Sequence, residues 1–303
     1  MKKLIALLAA LCLLPSLATA ETVVTSFYPI YLFTLNLLNG VDGMTVRNLA
    51  APDTGCLHDY QLQTGDMKTL SAADAFLVNG AGMESYLDNV FDAFPDLPVI
   101  DASAGIELLP ADLEGVSVGE SEMLYNAHVW LDPSNAIIMV GNLAEGLMAV
   151  CPEHAGAIAA NRDACIDSLK DLDGYLADAL SALSRRDIVT FHEAFPYFAK
   201  AYNLDVVAVV NREPGDALSP AALGELVLLV RELNLPPLFV EPQYDDLAAQ
   251  TLARETGAKV FMLDPIVTGP EEPPLTYYED VMTENVRVLN EALDAPMASQ
   301  LVQ

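Results

Sequence analysis

Apolar and polar positions run along this chain in two alternating rhythms. Short apolar runs at Val23 to Ser26, Thr45 to Leu49, Ala75 to Val78 and Val99 to Asp101 read as buried strands. Between them lie stretches of helical period. In Glu84 to Phe94, the residues Tyr86, Leu87, Val90, Phe91 and Phe94 fall on one face, which predicts an amphipathic helix with that face inward. Gly40 and Gly80 punctuate element ends. The scheme repeats later in the chain, where Ile188 to Phe191, Val206 to Val210, Leu238 to Glu241 and Lys259 to Leu263 read as parallel strands buried on both faces.

Longer periodic segments join and close the two series. About Pro152 to Leu183, the positions Ile158, Ile166, Leu169, Leu172, Leu176, Leu180 and Leu183 keep helical spacing without interruption. About 30 residues of helix would reach about 45 Å. Ser219-Pro220 is a helix start, a capping hydroxyl followed by proline, and its helix turns Leu223, Leu226, Val227, Val230 and Leu233 to one side. Tyr277 to Leu293 closes the chain as a last helix. The pattern predicts an α/β protein of two lobes, each a mostly parallel sheet flanked by helices, joined by one long rigid backbone helix. The expected divisions are an N-terminal lobe over 21–150, the linking helix over 151–185 and a C-terminal lobe over 186–303. With no Gly/Ser-rich or Pro-rich linker, little hinge motion is expected.

Residues 1–20 are set apart. Lys2 and Lys3, the apolar run Leu4 to Leu14 and the small-x-small pattern Ala18-Thr19-Ala20 form an expected secretory leader, so the protein is expected to be exported, periplasmic or on the cell surface. Cys12 lies inside the apolar run after Leu11, whereas a lipid-anchored cysteine normally follows a small residue. The formal charge is −29, and −31 once Lys2 and Lys3 are set aside. An acidic surface of this size repels nucleic acid and anionic lipid, suits cationic ligands, and also serves simple solubility. Beyond the leader stand Cys56, Cys151 and Cys165. Opposite ends of one helical stretch place Cys151 and Cys165 on the order of 20 Å apart, too far for a bridge, and no disulfide is expected.

The chain has only four histidines. His58, His128 and His192 each sit in a polar, turn-like context at the end of an expected element, and His154 does not. His192 follows one strand and Asp264 another, and ligands of open parallel sheets bind beyond the carboxyl ends of strands. Three imidazoles and a carboxylate satisfy a tetrahedral zinc ion at about 2.0–2.2 Å. Imidazole also suits copper, iron and nickel, whereas manganese favours more oxygen. Asp59, Asp132 and Glu193 are candidate acceptors for fixing an imidazole ring. Spacing alone does not single out this set, because a solitary histidine is more often an ordinary hydrogen-bonded residue.

The segments Gly55-Cys56-Leu57-His58-Asp59-Tyr60-Gln61-Leu62, His128-Val129-Trp130-Leu131-Asp132-Pro133 and Phe191-His192-Glu193-Ala194-Phe195-Pro196-Tyr197-Phe198 resemble three signature stretches of the zinc/manganese-binding solute-binding proteins of ABC transporters. Val240-Glu241-Pro242-Gln243 and Leu263-Asp264-Pro265 resemble two more, in the same order. The resemblance implies a metal held between the lobes, by His58 and His128 from the first and His192 and Asp264 from the second. It implies zinc as cargo, with manganese or iron as alternatives, and histidine rather than glutamate at position 192 tilts it to zinc. The implied partners are an ABC permease and its ATPase, met by a monomer peripheral to the membrane. Affinity should then fall as protons compete for the ligands.

Two departures from the family pattern stand out. The stretch Leu109 to Asn126, where many zinc carriers have a His-rich acidic loop, is short and acidic and contains no histidine. Cys56, two residues before His58, is a soft thiol beside the site, either a competing ligand or a buried small residue, and burial is the favoured reading. Glu241 is a fifth contact, a supporting acceptor or a helix cap. A zinc-dependent hydrolase is the main rival, but the chain lacks a His-Glu-x-x-His motif, and a fourth protein ligand closes the position that catalysis needs for water. A surface adhesin sharing the fold is the other alternative.

Overall fold

The computed structural model describes residues 21–57, 60–111, 124–210, 220–234, 236–243 and 247–294. The expected leader, His58, Asp59 and the capping Ser219 lie outside them. The first lobe begins with β1 (Glu21–Thr25), α1 (Tyr28–Leu37), β2 (Met44–Asn48), α2 (Thr64–Leu70), β3 (Ala75–Val78), α3 (Leu87–Ala93) and β4 (Val99–Asp101). Two helices follow, α4 (Pro133–Val150) and α5 (Ala155–Ser181). The second lobe holds β5 (Asp187–Thr190), α6 (Pro196–Ala201), β6 (Asp205–Val209), α7 (Pro220–Glu232), β7 (Leu238–Val240), α8 (Leu247–Thr256), β8 (Val260–Met262) and α9 (Tyr277–Leu293).

Each lobe carries a four-stranded sheet, ordered β2-β1-β3-β4 and β6-β5-β7-β8, with every pairing parallel. In both, the chain runs outward to one edge and then crosses back. The order therefore reverses between β1 and β3, and again between β5 and β7. Loops beyond the carboxyl ends of these strand pairs splay apart and leave room for a ligand. The central strands justify the parallel reading, since Ala75, Phe76, Leu77 and Val78 are all buried, as are Leu238, Phe239 and Val240.

The linking helix differs from the expected one at its start. Pro152–His154 forms a 3-10 turn, and the α-helix begins at Ala155. Over its 27 residues, about 40 Å long, Ile158, Leu169, Leu172, Leu176 and Leu180 are buried. They pack against α1, α4 and α9. The helix expected over Glu84 to Phe94 begins only at Leu87, and Phe91 is 47% exposed rather than part of the inward face. Val90 and the preceding Tyr86 are buried and Leu87 and Phe94 pack partly buried against the core, while Phe91 alone of that face turns outward. Among the described residues, no single helix is long and apolar enough to cross a membrane.

One continuous apolar core reaches from Val23 in β1 to Leu293 in α9, so the lobes share an interior. A smaller cluster lies under β5, β6, β7 and α7, with Val189, Ala208, Leu226 and Val230 in it.

Candidate metal centre

The facing ends of the two sheets bring distant side chains together. In the first lobe, Asn79 directly follows β3, and its Nδ2 donates to the Ala127 carbonyl at 3.0 Å. That bond anchors the residue before His128. The Asn79 and Gly80 amides in turn donate to the Glu84 carboxylate at 2.7 and 3.1 Å. Glu84 is fully enclosed, and burial pushes its carboxyl up to about 7. Downstream of His128, Val129–Leu131 is a 3-10 turn, and Asp132 caps α4 by accepting from the Ser134 amide at 2.8 Å. Asp132 is thus a helix cap and not the expected acceptor for a histidine ring.

That acceptor is Asn126. Its Oδ1 lies 3.2 Å from His128 Nδ1 and accepts from the His128 amide at 3.0 Å, while its Nδ2 donates to the Glu193 carbonyl at 2.7 Å. With the amide oxygen committed to the ring, the proton belongs on Nδ1, and the lone pair of Nε2 faces the other lobe. Tyr197 holds the same loop, donating to the Asn126 carbonyl at 2.9 Å and accepting from the Leu109 amide at 2.9 Å.

From the second lobe, His192 stands two residues beyond β5, at the point where the strand order reverses. Its Nε2 lies 3.0 Å from His128 Nε2, and the rings meet edge to face with centroids 4.8 Å apart. Both are buried. Cys56 Sγ lies 3.4 Å from His128 Nε2 and 3.6 Å from His192 Nε2. Cys56, His128 and His192 thus form a cluster whose donor atoms all lie within 4.8 Å of one another. Cys56 is half-buried, so the expectation of a merely enclosed thiol is corrected. Its sulfur faces the two imidazoles, carried there by the loop that leads to position 58.

Two carboxylates stand nearby in the fold. Glu241 directly follows β7, across the reversal point from His192. It is buried, one oxygen accepts from Gln243 Nε2 at 2.6 Å, and Oε1 is enclosed with no hydrogen-bond partner among the described residues. Burial raises its pKa well above the usual range, and the neighbouring Asp264 raises it further. Asp264, two residues beyond β8, is half-buried and its pKa is also raised by burial, with the Ile266 amide opposing that rise. Asn285 of α9 brackets the Asp264 backbone with two bonds, at 2.9 and 2.7 Å. Asp264 is not a member of the three-residue cluster. His154, set aside in the sequence, groups with Glu21 and Glu153 at the opposite end of the first sheet, where all three are half-buried or exposed.

Two imidazole nitrogens at 3.0 Å with a sulfur beside both suit the binding of a cation at this junction. Residues 23–292 match the family described as ZnuA, zinc-uptake complex component A, periplasmic. The chain belongs to that family. Among ZnuA-family relatives, the zinc-binding lipoprotein AdcA of Streptococcus pneumoniae is 30% identical over 313 aligned residues, covering 97% of this chain and 62% of AdcA. The chain therefore spans less than two thirds of that relative's length. The iron-binding protein YfeA of Yersinia pestis is 30% identical over 262 residues, covering 84% of this chain and 81% of YfeA. The solved structure of the laminin-binding protein Lmb of Streptococcus agalactiae, described as having adhesin and metal transporting activity, superposes with a TM-score of 0.77 at 26% identity, covering 90% of this chain and 99% of Lmb.

Sequence reasoning missed Asn126 and Asn79, which hold the His128 loop. Asn126 sits two residues before a proposed ligand, a weak signal because asparagine is common in turns. No local pattern marks Asn79, whose bond to Ala127 spans 48 positions.

Proposed function

We propose that this chain is an exported carrier that captures a divalent transition metal, zinc before manganese or iron, between its lobes and delivers it to an ABC permease driven by its ATPase. The proposed ligands are His58 and His128 from the first lobe and His192 and Asp264 from the second. The observation that carries the reading is the approach of His128 Nε2 to His192 Nε2 at 3.0 Å across the lobes. At that distance the two nitrogens either share a hydrogen bond or hold a cation between them, and the Cys56 sulfur within 3.6 Å of both favours the cation. The raised pKa values of Glu241 and Asp264 point the same way, since a bound cation offsets the cost of two ionised carboxylates in one enclosed region. The names of AdcA and YfeA support a metal cargo, and an imidazole-rich donor set favours zinc.

The metal is cargo, and the chain performs no chemical step on it. Side chains replace water around the ion, and a set of four protein ligands leaves no position for a catalytic water. The loaded monomer then docks on the permease from outside the membrane. Elemental analysis and competitive zinc and manganese titrations test the reading. One zinc per chain is expected, bound more tightly than manganese. His58→Ala and Asp264→Ala should each weaken zinc binding by roughly tenfold to a hundredfold or more, with the fold retained by circular dichroism. Unchanged affinity in either variant removes that residue from the set. Wild-type protein with no saturable binding sinks the carrier role and leaves a surface-attachment role of the kind described for Lmb.

A further inference from the structure

Cys56 takes no part in the ligand set proposed above, and its surroundings do not fit a thiol that merely fills space. Cys151 and Cys165 are buried, in keeping with a structural role. Cys56 is instead half-buried, and its sulfur lies within 3.6 Å of the two nitrogens that face each other across the lobes. The three distances can be compared with a coordination polyhedron. A tetrahedral zinc ion, with bonds of about 2.05 Å to nitrogen and about 2.3 Å to sulfur, holds its nitrogens about 3.3 Å apart and each nitrogen about 3.6 Å from the sulfur. The observed separations are 3.0 Å between nitrogens, and 3.4 and 3.6 Å from nitrogen to sulfur. Cys56 Sγ, His128 Nε2 and His192 Nε2 thus occupy three corners of a zinc-sized tetrahedron, and His128 is already turned to present its Nε2 by Asn126.

We propose that Cys56 is a metal ligand of this centre and biases it toward zinc and other thiophilic ions and against manganese. The proposal rests on the carrier reading of the same site and exchanges one of its four proposed donors, His58 or Asp264, for sulfur. On binding, a zinc–sulfur bond forms as the S–H bond breaks, and the proton leaves to water. The fourth corner then falls to His58 or Asp264, and the site holds nitrogen, sulfur and one further donor in place of an all-nitrogen and oxygen set. Sulfur favours zinc, whereas manganese favours carboxylate, carbonyl and water oxygen, so the thiolate changes the ratio of the two affinities more than it changes manganese binding itself.

The test compares wild-type protein with Cys56→Ser and Cys56→Ala, using cobalt(II) as a spectroscopic stand-in for zinc and competitive titrations with zinc and manganese. Wild-type protein loaded with cobalt should show the near-ultraviolet charge-transfer absorption of a cobalt–thiolate bond. That absorption should vanish in both variants and persist in a Cys151→Ser, Cys165→Ser double variant. Zinc affinity should fall by roughly tenfold or more in Cys56→Ser, with a smaller change for manganese, so the zinc-to-manganese preference shrinks. Saturable cobalt binding by wild-type protein without the thiolate absorption overturns the proposal and leaves the carrier reading standing. An unchanged zinc-to-manganese ratio in both variants does the same. Wild-type protein that binds none of the three metals overturns both.

Discussion

At the scale of single residues, uncharged amides and one buried acid do as much to place the centre as the histidines themselves. Asn79 and Asn126 together hold the backbone before His128 and its ring. Glu84 stands behind Asn79, accepting from two consecutive amides in an enclosed site. Its carboxyl, pushed up to about 7, holds its proton more tightly in the folded chain than in the unfolded one. The stability this brings is present in full below the ordinary glutamate range and is lost as pH rises through about 7. In Glu84→Gln the carboxyl is gone, so the gap in unfolding free energy, wild type minus variant, should fall by about 2.5 kcal/mol between about pH 5 and pH 8. Denaturant melts of metal-free protein check this, and a gap that does not vary with pH would refute it.

Among the elements, the turn beyond β3 constrains the site most tightly. Gly80 has φ +78°, and a Cβ there would lie 1.9 Å from Asp101 Oδ1 and 2.4 Å from Ser103 Oγ. That carboxylate is not free to retreat, because it already accepts from the Ser103 amide and hydroxyl at 2.8 Å each. Gly80→Ala combines a left-handed backbone with a collision and should lower stability by about 2–4 kcal/mol. Because Gly80 adjoins Asn79, metal affinity should fall with it; thermal melts and a zinc titration read the two effects, and a variant as stable as wild type would show that the turn relaxes. The central strands were readable for a related reason. A strand buried on both faces is an unbroken apolar run, and Ala75–Val78 was expected with the bounds it has. The helix after it was misjudged at Phe91, because a helical period shows which residues share a face and not how long the helix lasts.

For the whole molecule, the question is how far the lobes move. The shared core is joined by bonds that cross between them: Trp130 Nε1 donates to the Pro265 carbonyl at 2.8 Å, Tyr278 donates to the Trp130 carbonyl at 2.6 Å, and Asn126 reaches the Glu193 carbonyl at 2.7 Å. Trp130 is fully buried at this seam, edge to face with Phe27. Wide opening would break these bonds and expose the core around them, at a cost far above thermal energy. Zinc binding should therefore change the radius of gyration by less than about 1 Å in small-angle scattering of metal-free and loaded protein. A contraction of several ångströms would show that the seam parts.

Hydrophobic periodicity along the chain was enough to establish eight strands, the long α5 helix and two successive βα series, because each depends on which neighbouring residues share a face. It also marked His192 and Asp264 as lying just beyond strand ends. The tertiary structure alone decided that His128 and His192, 64 positions apart, meet at 3.0 Å, that Asn126 and not Asp132 orients His128, and that Cys56 faces both rings. Such contacts follow from how two sheets present their carboxyl ends to each other across a shared core, and no local spacing encodes that relation.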